Sequence, residues 1–180
     1  GTPLFGLKHA LWLVLVVLAL LASGCPVRAI VFAFGLDERT VADWQRKAGQ
    51  HAQLVQEQLV CQGAVDLGQV QADELYTKTQ AGPVWIATAI TVFSRLWLWG
   101  TISWERDTAL IQPVIEHSRA AAQPGRPILF AVDGFKAYVT CILKVFRDPQ
   151  HTGKRGRPPL IVWDDLHIVQ VVKQRSGRRL

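Results

Sequence analysis

The sequence contains no methionine, not even at position 1, which is what a fragment or a misassigned reading frame would give. Cysteine is nearly as scarce. Cys25, Cys61 and Cys141 are odd in number and form neither a Cys-x-x-Cys pair nor a Cys/His ligand spacing. That pattern excludes a disulfide framework and a structural zinc site, and reads as reduced, mostly buried thiols in a reducing compartment. Long apolar runs are missing too: Ala10 to Ala22 is uncharged, but it falls short of the ~20 residues a membrane span needs. With Lys8 before it and Ser23-Gly24-Cys25 after, this run resembles a lipoprotein signal peptide. Because the chain beyond Cys25 is cytosolic in pattern, the run is read instead as a buried helix, with no stable membrane association.

Charged residues make up 19% of the chain and hydrophobic ones 49%, a balance that excludes intrinsic disorder. At 180 residues it can bury a core of its own. The net charge of +6 points to an anionic partner, nucleic acid or a membrane surface. It is unevenly spread: from Arg147 onward eight Lys and Arg face three aspartates, so five of the six excess charges lie there.

Val27, Ile30, Val31 and Phe34 repeat at helical spacing after Pro26, which suits a first helical position. Gly35 permits a sharp turn, and Asp37 is placed to cap a second helix in which Val41 and Trp44 point inward. That leaves Arg39, Thr40, Asp43, Arg46 and Lys47 facing out. Two helices joined through Gly, the second presenting Arg, Thr and Lys, form a helix-turn-helix pattern, with Ala10 to Ala22 as a third, fully buried helix. An ordinary helical hairpin is the competing reading. His51 to Gln62 carries a modest apolar stripe and reads as a connecting helix.

Val70 to Tyr76, VQADELY, reads as a strand with two acids, Asp73 and Glu74, between apolar neighbours. A carboxylate facing a core is costly unless something pairs with it, and a divalent cation would. Val84–Phe93 and Leu96–Trp104 continue as an antiparallel meander turning at Ser94-Arg95. Trp85, Trp97, Trp99 and Trp104 fit core and sheet-face packing better than a base-stacking platform. A helix is predicted over Thr108 to Ala122, delayed or kinked by Pro113. A buried strand over Ile128 to Val132 ends in Asp133-Gly134; an amphipathic helix over Phe135 to Phe146 and a strand over Leu166 to Arg175 come next. Asp-Gly also suits a plain turn, and Asp73 and Glu74 suit one solvated and one capping position on an edge strand.

The order β-β-β-α-β-α, with VQADELY and FAVDGFKAY at its acidic points and AIVFAFGLDERTVADW ahead of it, resembles the DDE transposases of bacterial insertion sequences. The fit includes Phe135, Ala137 and Tyr138 after Asp133, while Val132 replaces a usual polar residue. The resemblance implies an α/β (α+β) chain: a three-helix helix-turn-helix unit over 1–49, a linker helix over 50–68 and, over 69–180, an incomplete RNase H-like mixed sheet flanked by helices. It implies DNA strand cleavage and transfer with two Mg²⁺ or Mn²⁺ ions, Asp73 and Asp133 as catalytic ligands, and Glu74 as an auxiliary ligand or an exposed residue. Transposon ends and target DNA would be the partners, in a homo-oligomer at the nucleoid of the cytoplasm. Arg39, Thr40, Arg46 and Lys47 would lie against DNA. The third acid of the family is absent, since no Glu follows Glu116. An incomplete or inactive copy is therefore implied, unless Asp164 or Asp165 stands in. Lys154, Arg155 and Arg157 surround an Arg-Gly-Arg-Pro core like that of an AT-hook, suited to a narrow minor groove; a solvated basic loop accounts for them equally. The alternative function is a non-catalytic helix-turn-helix DNA-binding protein.

Overall fold

The computed structural model describes residues 4, 6–151, 153 and 155–172. The chain divides into two compact units, Gly1–Gln58 and Leu59–Leu180. The first holds three helices, α1 (Leu11–Ala22), α2 (Val27–Phe34) and α3 (Glu38–Val55). Pro26 is the residue just before α2, with an extended backbone. At the other end Gly35 takes φ 62°, a left-handed conformation that glycine adopts without a Cβ penalty. The Leu36 amide then donates back to the Val31 carbonyl (3.2 Å). The Asp37 carboxylate accepts from the Arg39 amide (2.8 Å), the predicted cap.

Val14, Val17, Ile30, Leu36, Val41 and Trp44 form the core of this unit. Helix α1 is not the fully buried helix expected from its sequence: only Val14 and Val17 are covered, while Leu11, Trp12, Leu15 and Val16 are exposed. The run is apolar on every side, so periodicity could not say which face packs, and its two partner helices cover one face only. No described helix is long and apolar enough to cross a membrane. The stretch read as a separate connecting helix continues α3 through Val55 and then runs as a π-helical turn over Gln56–Val60. Gly49 is the weak helix former on that path, and one glycine costs only ~1 kcal/mol.

The second unit is a mixed α and β structure. Strands β1 (Gln69–Thr79), β2 (Gly82–Thr91) and β3 (Trp97–Ser103) form the predicted meander, with Arg95 at φ 58° in its second turn. Helix α4 (Thr108–Ala121) leads to β4 (Ile128–Asp133), helix α5 (Lys136–Val145), a small antiparallel ribbon of β5 (Arg147–Pro149) with β6 (Leu160–Val162), and β7 (Leu166–Val171). The ribbon has no counterpart in the elements expected from the sequence. The sheet order is β3-β2-β1-β4-β7, with β4 parallel to both β1 and β7. Pro113 neither delays nor ends α4, which begins at Thr108 under an Asp107 cap.

Alternation divides the sheet into two faces. Val70, Ala72, Ala87, Ala89, Phe130 and Val132 pack with Leu110, Ile111, Val114, Ile115, Tyr138 and Ile142 of α4 and α5. Both helices join one core cluster, so both flank the same face of the sheet. On the other face Leu75, Ile102 and Val171 are exposed. Trp85 and Trp99 pack against the core, with Trp99 stacked on His117 at 3.5 Å. Trp97 is exposed but stacks on Trp99 on the sheet face (6.2 Å), and Trp104 is exposed, unlike the packing expected of it.

Candidate functional site

Pairing of β1 with β4 ends at Gln71 opposite Ala131. Two residues further along each strand stand Asp73 and Asp133, on the same side of the sheet by alternation. Both line one groove of about 480 Å³ at the carboxyl ends of β4 and β7, beside the middle of the longer β1, with Gln71, Ala131, Gly134 and Val171. Asp73 is exposed, and its Oδ1 accepts from the Glu74 amide (2.9 Å). Asp133 is the last residue of β4. Its Oδ1 accepts from the Phe135 amide (2.8 Å), which fixes the turn into α5, and its Oδ2 accepts from Arg106 Nη2 (3.0 Å).

Glu74 points the other way, into the helical face, where its side chain is 2% exposed. The cation that keeps this buried carboxylate there is Arg106, in the turn between β3 and α4. Arg106 Nε donates to Glu74 Oε1 (2.6 Å) and its Nη2 reaches the same oxygen. The guanidinium lies over the rings of Phe135 (4.2 Å) and Trp85 (5.2 Å), so aromatic faces cover it where water would otherwise be. Glu74 is not the exposed residue foreseen as one of its two roles, and an arginine answers its charge.

Among the described residues, Glu74 Oε2 and the hydroxyl of fully buried Tyr138 have no hydrogen-bond partner. Burial first, and then the Glu74 carboxylate, push the Tyr138 phenol well above its ordinary value. A phenol harder to ionise when folded keeps its full contribution below the unfolded pKa of ~10 and loses it as pH rises beyond that. Tyr138→Phe is therefore expected to leave stability at pH 7 within ~1 kcal/mol of the parent and to delay alkaline unfolding, as read by circular dichroism between pH 9 and 12.

Asp164 and Asp165 lie at the opposite end of the sheet. Asp165 precedes Leu166, which pairs with Ile128 at the start of β4, five residues before Asp133. At ~3.3 Å per residue the separation is ~17 Å, so neither can stand in as third ligand. Among the described residues no three His, Cys, Asp or Glu side chains converge as a metal would require. The fit to hard divalent cations extends to Asp73 and Asp133, and one oxygen of the latter is already engaged by Arg106.

In the first unit, Arg39 is exposed and Thr40 half-buried near the start of α3, with Arg46 and Lys47 about two turns on. Asp43 sits between them, paired with Lys47 Nζ (2.8 Å) and with Arg46, and these partners hold its carboxyl below its ordinary value. Arg46 Nη1 also donates to Gln50 Oε1 (3.3 Å). Phosphates binding this stripe would have to draw Arg46 and Lys47 from Asp43. Arg155 and Arg157 are exposed in the loop joining β5 to β6, closed by a bond from the Gln150 amide to the Pro159 carbonyl (2.9 Å); Lys154 lies outside the described residues. No protein-family model matches this chain, and no curated protein sequence matches it.

Proposed function

We propose that this chain is part of a DNA transposase of the DDE type, a helix-turn-helix unit followed by an RNase H-like domain that carries two of the three acids. The observation that carries the reading is the placement of Asp73, within β1, and Asp133, at the end of β4, in one groove on adjacent parallel strands of a sheet ordered β3-β2-β1-β4-β7. The stripe of Arg39, Thr40, Arg46 and Lys47, and the Arg155 and Arg157 loop, supply the positive surface a phosphate backbone needs.

Asp73 and Asp133 would present hard oxygens to the same cations, with the Phe135 amide holding Asp133 in place. Divalent ions bound there would lower the pKa of an attacking hydroxyl and neutralise charge on the leaving oxygen. With two acids only, the described residues are expected to bind DNA and Mn²⁺ without strand transfer. Titration with Mn²⁺, followed by electron paramagnetic resonance, tests this. Asp73→Asn and Asp133→Asn should each weaken Mn²⁺ binding at least tenfold while leaving duplex DNA affinity within about twofold. Equal Mn²⁺ affinity in the parent and both variants would remove the metal-site reading. The absence of a three-ligand cluster among the described residues favours a second reading, a non-catalytic helix-turn-helix DNA-binding protein, in which the parent itself binds no Mn²⁺.

A further inference from the structure

Among the described residues Asp133 is the acid of the groove that already has a cation on it, and that cation belongs to a shared arrangement. Arg106 Nη2 touches both Asp133 Oδ2 and Glu74 Oε1, while its Nε is committed to Glu74 alone. The two carboxylates differ in setting: Glu74 is 2% exposed and Asp133 39% exposed at the side chain. A buried carboxylate has no water to fall back on, so it holds the guanidinium more strongly than a half-solvated one does. Phe135 and Trp85, against the guanidinium faces, limit where it can move.

We propose that Arg106 competes with divalent cations for Asp133, and that Glu74 is the positioning residue that restrains it, so that the pair sets the metal affinity of the groove. The inference rests on the metal-site reading above. A cation approaching Asp133 Oδ2 has to displace one Nη2 contact, and Glu74 keeps the arginine anchored when that contact is lost. Glu74 Oε2, buried and without a hydrogen-bond partner among the described residues, can take up a hydrogen bond as the guanidinium shifts. On this account Glu74 raises metal affinity without being a ligand.

Two variants move in opposite directions if this is right. Glu74→Gln removes the restraint, leaves Arg106 to Asp133 alone, and should weaken Mn²⁺ binding by about fivefold, the size of one partly exposed ion pair. The double variant Glu74→Gln/Arg106→Gln removes restraint and competitor together, keeps both sites filled by neutral hydrogen-bonding groups, and should bind Mn²⁺ about fivefold more tightly than the parent. Thermal melts of each variant establish that it is folded before the titration is read. A Glu74 that ligates metal directly would make both variants weaker, and a purely structural pair would leave both unchanged; either result overturns the proposal. If the parent binds Mn²⁺ but the variants do not diverge, this inference alone falls. If neither the parent nor the double variant binds, the metal-site reading falls and takes this one with it.

Discussion

Arg106→Met is expected to lower the unfolding free energy of the second unit by about 3 kcal/mol, the usual cost of stranding one partner of a buried ion pair. The partner left behind is Glu74, whose side chain is almost without solvent and whose second oxygen has no hydrogen bond among the described residues. The loss is kept from the upper end of the range because Arg106 itself is about a third exposed, so water can reach part of the space it vacates. Methionine retains most of the packing against Phe135 and Trp85, which separates the charge effect from lost contact. The decisive comparison is the double variant Arg106→Met/Glu74→Leu. Replacing a buried pair by apolar groups is near neutral, so urea denaturation should show most of the loss recovered. Two losses that simply add would mean the pair contributes nothing as a pair.

That pairing also marks where the sequence ceases to be readable. The need for a counter-charge at Asp73-Glu74 was legible, because a strand with apolar neighbours cannot bury a carboxylate alone. Which acid faced inward was not legible: adjacent residues of a strand point to opposite faces, and a one-residue change of register exchanges them. The structure turns Glu74 in and Asp73 out, and so moves the buried charge from a metal to Arg106. Nothing local distinguishes Arg106 from Arg95 or Arg126. Only the return of the chain after β3 brings it to β1, 32 residues away. The meander, α4, β4 and α5 were readable because each couples a clear period to a turn residue. The ribbon β5–β6 was not, since three-residue strands show no period.

For the first unit the largest expected effect comes from Trp44→Ala. Trp44 is 2% exposed and is the largest of the six residues in the core of the helical unit, with His9 edge-on to its ring at 5.1 Å. Removing a buried Trp side chain costs about 3–5 kcal/mol, and a unit of this size has a total stability of the same order. The helical unit should therefore unfold at 25 °C, and amide hydrogen exchange in α2 and α3 should lose its protection. Trp44→Phe, which keeps a ring in the site, should retain measurable protection. On the proposed reading, DNA affinity should fall with the helix, because Arg39, Arg46 and Lys47 share a stripe only while α3 is formed. Exchange protection that survived Trp44→Ala would mean that the exposed face of α1, where Leu11, Trp12, Leu15 and Val16 lie, is not idle and that the unit draws its stability from more than its own six-residue core.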